Sequence, residues 1–293
     1  MTRRFRAPAK VNLSLEILGR REDGYHILDS IMAFFPWYDH LEVTCGGSAV
    51  TLECHPTVTV AAEENLVHRA AVGLKKKAGI TTGVHLALFK EIPHGAGLGG
   101  GSSDAALTLL ALNRMWQLNW SVDELSLLGV ELGADVPFFL GGHAARVGGI
   151  GERITPLPGM REWELVVVHP GIMLATAAVY RGITPRMLAQ WAQESTLQEE
   201  GPESPRWRFE NHLEQIARTL TPLIEVVAQQ LHAVGARSTL MSGSGSAVFG
   251  VFDHGDQARE AATQISRSHP EWRVRQGRTF TIHPFDREWQ SGI

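Results

Sequence analysis

The sequence predicts an α+β fold built around a phosphate site, and three observations carry this. Strand-rich and helix-rich stretches mix along the 293 residues without the strict βαβ order of a doubly wound parallel sheet. Five glycines fall within Gly95–Gly101, between a strand pattern and a helix start. A second glycine–serine loop, Met241–Val248, separates two later strands. Glycines let a backbone approach an anion closely, and the free N–H groups and dipole at a helix start favour negative charge.

Val11–Leu18 alternates and reads as a strand, followed by the polar turn Gly19–Gly24. Ile27–Phe35, Leu41–Cys45 and Val50–Glu53 are further strands. Asn65 opens a helix, because apolar residues recur at Leu66, Val67, Ala70, Ala71, Leu74 and Ala78. Lys75–Lys77 sit at its end, where cations suit the dipole. Strand 84–90 leads into the glycine loop, and Ser102 or Ser103 is the expected N-cap of a helix reaching Leu118. Ser121-Val-Asp-Glu124 is a capping-box pattern, with Gly133 as the stop. Pro137 pushes Val136 toward an extended conformation, so Asp135 is expected on a turn. Ala144–Val147, Arg153–Pro156 and Glu164–His169 are strands, and the polar segment 194–208, with two prolines, reads as a variable loop or lobe connection. Thr221-Pro222 starts a helix that runs to Val234, where Gly235 stops it. The remainder reads strand (Ser238–Met241), loop, strand (Ala247–Phe252), helix (Asp256–Ser268) and two strands, Trp272–Arg275 and Thr279–His283.

Composition narrows the class. The chain is 44% hydrophobic and 20% charged, ample for a core, and its length allows one large domain or two lobes. A net charge of −4 and a pI near 6.4 give no basic footprint for nucleic acid. Two cysteines, Cys45 and Cys54, make no disulfide framework and show no metal-ligand spacing. The basic N-terminus lacks a signal-peptide apolar region, and no apolar run is long enough to span a membrane. A soluble cytoplasmic protein, bound to neither membrane nor nucleic acid, is expected.

The glycine loop has lookalikes. Gly95-x-Gly97-x-x-Gly100 formally matches the dinucleotide fingerprint. That fingerprint needs an acid about 20 residues on, at the end of a second strand, whereas Asp123 and Glu124 fall in a helix cap. The P-loop pattern fails because no Lys-Ser/Thr pair follows the glycines, and the protein-kinase set lacks its strand lysine and His-Arg-Asp. A tight turn alone does not require five glycines and two serines.

Ala7-Pro-Ala-Lys-Val-Asn12, Pro93–Ala106 and Met241–Val248 resemble the three motifs of the galactokinase, homoserine kinase, mevalonate kinase and phosphomevalonate kinase (GHMP) superfamily. Within it, Pro8–Leu15, Gly19-Arg-Arg-Glu-Asp-Gly-Tyr-His26, Glu64-Asn-Leu-Val67, Gly97–Asp104 and Gly133-Ala-Asp-Val-Pro-Phe-Phe139 are similar to the branch that phosphorylates 4-diphosphocytidyl-2-C-methyl-D-erythritol. The first motif of mevalonate and galactose kinases usually reads differently, with a Gly before the Lys. The resemblance spans nearly the whole chain.

It implies a two-lobed α+β GHMP kinase fold. Residues 1–157 would form an N-terminal lobe like ribosomal protein S5 domain 2, and residues 158–293 a ferredoxin-like C-terminal lobe, with the active site between them. The implied reaction moves the γ-phosphoryl of ATP to the 2-hydroxyl of the cytidyl alcohol, in the non-mevalonate route to isoprenoid precursors. Lys10 and Asp135 match the catalytic pair; read alone, they would be a solvated strand lysine and a turn aspartate. Pro93, His94, Gly95, Ala96, Gly97, Leu98, Gly99, Gly100, Gly101, Ser102 and Ser103 match the ATP loop, with Asn65 and Lys90 as further nucleotide-side candidates. Asn65 serves equally well as an N-cap. Asn12, Tyr25, His26, Thr176 and Tyr180 match substrate positions, the aromatic rings as faces for cytosine. Mg²⁺ is expected with ATP, held by phosphate oxygens and water, and no side chain is assigned as a metal ligand. His212 stands where the family usually carries Asp, and no catalytic duty is assigned to it. The protein is expected to be a monomer or weak homodimer. The nearest rival is homoserine kinase, against which Tyr25-His26 argues; a silent nucleotide sensor on the same fold is opposed by the intact Lys10/Asp135 pair.

Overall fold

The computed structural model describes residues 2–56, 61–194 and 209–291. Residues 195–208, most of the expected lobe connection, lie outside these. The first part of the chain runs β1 (Thr2–Arg20), β2 (His26–Cys45), β3 (Val50–His55), α1 (Leu66–Lys77), β4 (Val84–Phe89), α2 (Gly100–Met115), α3 (Val122–Leu132), α4 (Val136–Gly141), β5 (Ala145–Gly149) and β6 (Arg153–Pro156). The second runs β7 (Glu164–His169), α5 (Thr176–Arg181), α6 (Pro185–Glu194), β8 (Glu210–Asn211), α7 (His212–Leu220), α8 (Leu223–Ala233), β9 (Ser238–Met241), β10 (Val248–Phe252), α9 (Gly255–Ser268), β11 (Arg273–Arg278) and α10 (Phe285–Ser291).

Two sheets result. The first has the order β3-β4-β2-β1-β8, with β5 on β2 and β6 on β5; the second is antiparallel in the order β11-β7-β10-β9. Period-2 side-chain alternation explains how they pack. Leu165 and Val167 of β7 face Ala9, Val11 and Leu13 of β1 in a core between the sheets, while Val166 and Val168 turn to the helix-covered face with Leu213, Ile224 and Leu231. A further core joins β1, β2 and β4 to α1, α2, α3 and α4 through residues such as Phe34, Leu86, Leu109 and Phe138. After β11 the chain returns to the first part. Phe280 bridges to Phe34, Ile282 bridges to His143, and Phe285 and Trp289 of α10 pack on Phe5.

Several local expectations change. The two strands expected over 27–45 are one, because a bulge between the pairs Pro8↔Tyr38 and Ala9↔Phe35 absorbs Pro36 without ending the ladder. The cap of α2 is Gly99, at φ +69°, not Ser102 or Ser103, which sit inside its first turn; the helix stops at Met115 rather than Leu118. Val136 is helical, since Pro137 falls in the first turn of α4, where its missing N–H is not needed. Thr279–His283 forms isolated bridges rather than a strand. Helices α5, α6, α7 and α10 carried no signal read in the sequence. Asn65 caps α1 by accepting from Val67 N at 2.9 Å, and the capping box at Ser121 and Glu124 is complete.

Candidate active site

Alternation on β1 creates one half of the site. Ala9, Val11 and Leu13 are buried between the sheets, so Lys10 and Asn12 project the other way, toward the glycine loop. Lys10 N donates to Leu98 O at 2.9 Å, which ties the strand to the loop directly. At Gly99 a Cβ would lie 3.0 Å from both Lys10 Cγ and the Phe139 ring, so the loop closes onto the lysine only as glycine. The second glycine–serine loop packs against the first. Ala247 N donates to Ala96 O at 3.1 Å, and the Ser242 hydroxyl donates to Gly97 O at 3.0 Å while accepting from Asn12 N at 3.2 Å. Asn211 holds that loop by donating to Met241 O and Gly243 O, at 2.7 and 2.8 Å.

A cavity of about 910 Å³ opens where these pieces meet. Its walls include Lys10, Asn12, Lys90, the loop Pro93–Ser102, Asp135, Tyr25, His26, Thr176 and Tyr180. All but two of the sequence-predicted site residues are therefore brought to one cavity. Ser103 is fully buried, and its hydroxyl has no hydrogen-bond partner. Asn65 spends its amide oxygen on the α1 cap, leaving Leu66 on the wall.

Lys10 is 3% exposed, and its Nζ lies 3.7 Å from Asp135 Oδ2 and within hydrogen-bond reach of Asn12 Oδ1. Burial pulls its pKa below the ordinary lysine value; the charge of Asp135 and contact with it oppose the shift. Asp135 sits at the turn between α3 and α4, with Ala134 beside it on the wall. Lys90 reaches the wall from a buried ion cluster. Its Nζ contacts Asp39 and lies 2.6 Å from Asp104 Oδ2, and Asp39 Oδ1 accepts from Ile92 N at 2.8 Å. Burial works against the Lys90 charge, but Asp104 and Asp39 outweigh it and hold the ammonium above its usual range. Asp104 is thus buried in the scaffold beneath the loop.

At the other end, the His26 and Tyr180 rings lie 5.4 Å apart at 40°, and Tyr25 is 62% exposed at the mouth. Burial, then Asp135, pushes the Tyr180 phenol up to about 12, and burial, then Arg20, holds the His26 imidazole below its usual value. Thr176 shares a 2.8 Å hydroxyl contact with Ser244 of the second loop. His212 is structural: its Nδ1 accepts from Ile17 N at 3.0 Å, and Trp191 stacks on it.

Residues 65–143 match the GHMP kinases N terminal domain, and residues 192–271 match the GHMP kinases C terminal domain. A 4-diphosphocytidyl-2-C-methyl-D-erythritol kinase of Syntrophotalea carbinolica is 42% identical over 284 residues, covering 96% of this chain and 98% of its own. The chain belongs to this GHMP kinase family. Its relative in Methylibium petroleiphilum, of the same name, is 39% identical and covers 95% of this chain and 94% of its own. A crystal structure of a 4-(cytidine 5'-diphospho)-2C-methyl-D-erythritol kinase superimposes with a TM-score of 0.79 at 40% identity, over 94% of this chain and 98% of that one. A homoserine kinase of Cytophaga hutchinsonii shares the fold at a TM-score of 0.73 and 18% identity, covering 96% and 95% of the two chains. As a GHMP kinase the chain uses ATP and a small-molecule acceptor, and among the described residues no helix is long and apolar enough to cross a membrane.

Sequence reasoning missed Arg20, Ile150, Gly151 and Arg181 on the wall, and the buried Asp39, Ser14 and Ser30 behind it. Arg20 lies in the polar turn Gly19–Gly24, and Asp39 carried no signal read in the sequence.

Proposed function

We propose that this protein transfers the γ-phosphoryl of ATP to the 2-hydroxyl of 4-diphosphocytidyl-2-C-methyl-D-erythritol, giving the 2-phosphate and ADP. The observation that carries the reading is the Lys10–Asp135 pair, 3.7 Å apart, between a glycine loop at a helix N-terminus and an aromatic pocket of Tyr25, His26 and Tyr180. Residues 1–157 supply the phosphate end, and residues 158–293 close the pocket with Thr176, Tyr180 and the second loop.

The glycine loop fits a triphosphate because its backbone, at the start of the 16-residue α2, lies open to the cavity. Backbone N–H groups of Gly95–Ser102 hold the phosphates, with Lys90 at their edge. Mg²⁺ bound with ATP would be held by phosphate oxygens, water and the Ser102 hydroxyl, which lies beside Gly133, and would offset phosphate charge. Phosphoryl transfer depends mainly on positioning and charge stabilisation. Lys10, anchored by Asn12, orients the Asp135 carboxylate and offsets negative charge on the phosphoryl oxygens. Asp135 accepts the hydroxyl proton; in a loose transfer the proton leaves late, so the acceptor need not be strongly basic. Tyr25, His26 and Tyr180 enclose the cytosine, and Asn12 and Thr176 face the diphosphate and tail.

The test is turnover and nucleotide binding in Asp135→Asn and Lys10→Met. Turnover should be lost while calorimetry still detects ATP binding; near-normal turnover in either variant removes that residue from its role.

A further inference from the structure

Behind Lys10 runs a chain of hydrogen bonds whose direction is fully determined. A bulge in β1, between the pairs Asn12↔Met32 and Ser14↔Ile31, breaks the ladder there. Serine hydroxyls take over the displaced bonds: Ile31 N donates to Ser14 Oγ at 3.1 Å, and Ser30 Oγ donates to Ser14 O at 2.5 Å. A backbone carbonyl only accepts, so the single Ser30 proton is committed to it. Toward Asn12, 2.8 Å away, Ser30 Oγ can then only accept. Asn12 must present its NH₂ to Ser30 and its carbonyl oxygen to Lys10, whose ammonium only donates. Asn12 and Ser30 are both fully buried, so water does not replace any member of the chain.

We propose that Ser30 is a positioning residue for phosphoryl transfer: by accepting from the Asn12 amide it locks the Asn12 carbonyl onto the Lys10 ammonium and keeps that buried cation charged and aimed at Asp135. The inference rests on the Lys10 role proposed above. Among the described residues, the charged group facing Lys10 is Asp135, from the turn before α4. Tyr180 of α5 is the titratable group that acts on Asp135, and burial, then that carboxylate, push its phenol up to about 12. The two loops touch Lys10 through Gly99 and Gly243, which carry no charge. Loss of Ser30 frees the Asn12 amide to turn its NH₂ toward Lys10, exchanging an acceptor for a donor beside an ammonium.

The experiment compares Ser30→Ala, Ser30→Cys and Ser30→Thr with the unaltered protein. It reads the alkaline limb of kcat and, independently of activity, the titration of Lys10 by side-chain nitrogen NMR. Losing one charge-assisted bond should lower the Lys10 midpoint and the alkaline limb by about one pH unit in Ser30→Ala. KM for the acceptor should change much less than kcat. Ser30→Cys keeps the volume with a poor acceptor and should shift the same way, so it serves if the alanine variant does not fold. Ser30→Thr keeps the hydroxyl and should restore both midpoints. Unmoved Lys10 titration in both Ser30→Ala and Ser30→Cys overturns the proposal. A shifted titration with an unmoved alkaline limb instead retains the Ser30–Asn12–Lys10 linkage and overturns the assignment of Lys10 to the reaction.

Discussion

Gly97→Ala tests how the two loops build the site. Gly97 has φ +75°, and a Cβ there would sit 2.0 Å from Ser242 O and 3.0 Å from Gly245 N. Both atoms are backbone, so neither can swing aside, and ordinary contact requires the loops to part by roughly 1.4 Å. Left-handed strain costs about 1–2 kcal/mol for a residue with a Cβ. Parting the loops also breaks the Ser242–Gly97 and Ala247–Ala96 hydrogen bonds, each contributing about 0.5–1.5 kcal/mol. The total is about 3 kcal/mol, a fall in Tm of roughly 6–12 °C for a chain of this size. A shift of that size in the loop should also lower kcat/KM for ATP by about 100-fold. The assays are calorimetric unfolding and steady-state kinetics. Gly101→Ala supplies the stability comparison: Gly101 lies in the first turn of α2, and its Cβ would meet Leu66 Cδ1 at an ordinary 3.6 Å. Its Tm should hold or rise slightly. Equal Tm for the two variants, with an unchanged kcat/KM for ATP in Gly97→Ala, would refute the reasoning.

Two further outcomes are expected. Tyr180→Ala should raise KM for the cytidyl alcohol by about 5- to 100-fold, the worth of one base–aromatic stack, and leave KM for ATP nearly unchanged; equal effects on both would sink the stacking role. His283 is buried against Phe34 and its imidazole is held down at about 4, chiefly by burial with Asp286 opposing. A depressed folded-state value means stability is present above pH 6.5 and lost as pH falls toward 4, by about 3 kcal/mol. His283→Asn keeps an acceptor at the Nδ1 position for Phe285 N and should remove that part of the acid slope in urea unfolding; an unchanged slope would locate the acid sensitivity elsewhere.

The elements that sequence pattern located well are those whose signal is local. Asn65 at its cap, the Ser121–Glu124 box and the apolar runs of β7 and β10 each carry their own physical cause. Misread boundaries occurred where tertiary structure overrides a local rule. Pro36 did not end β2, because the bulge gave it a place without an N–H partner, and Gly99 displaced the serines as cap, because the loop must close on Lys10 and Phe139. At the site, the glycine loop was legible from its composition. Lys10, Asp135 and Tyr180 were not: nothing local distinguishes them, and only the resemblance of motifs far apart in the chain singled them out. The Ser14–Ser30–Asn12 chain depends on register across a bulge, which no spacing along one strand reveals.

The account is tested most directly by a coupled assay for ADP release with 4-diphosphocytidyl-2-C-methyl-D-erythritol, homoserine and mevalonate offered separately. It predicts turnover with the cytidyl alcohol alone, with the new phosphate on the 2-hydroxyl by phosphorus NMR. Absence of turnover with that alcohol, or preference for either of the other two, would contradict it.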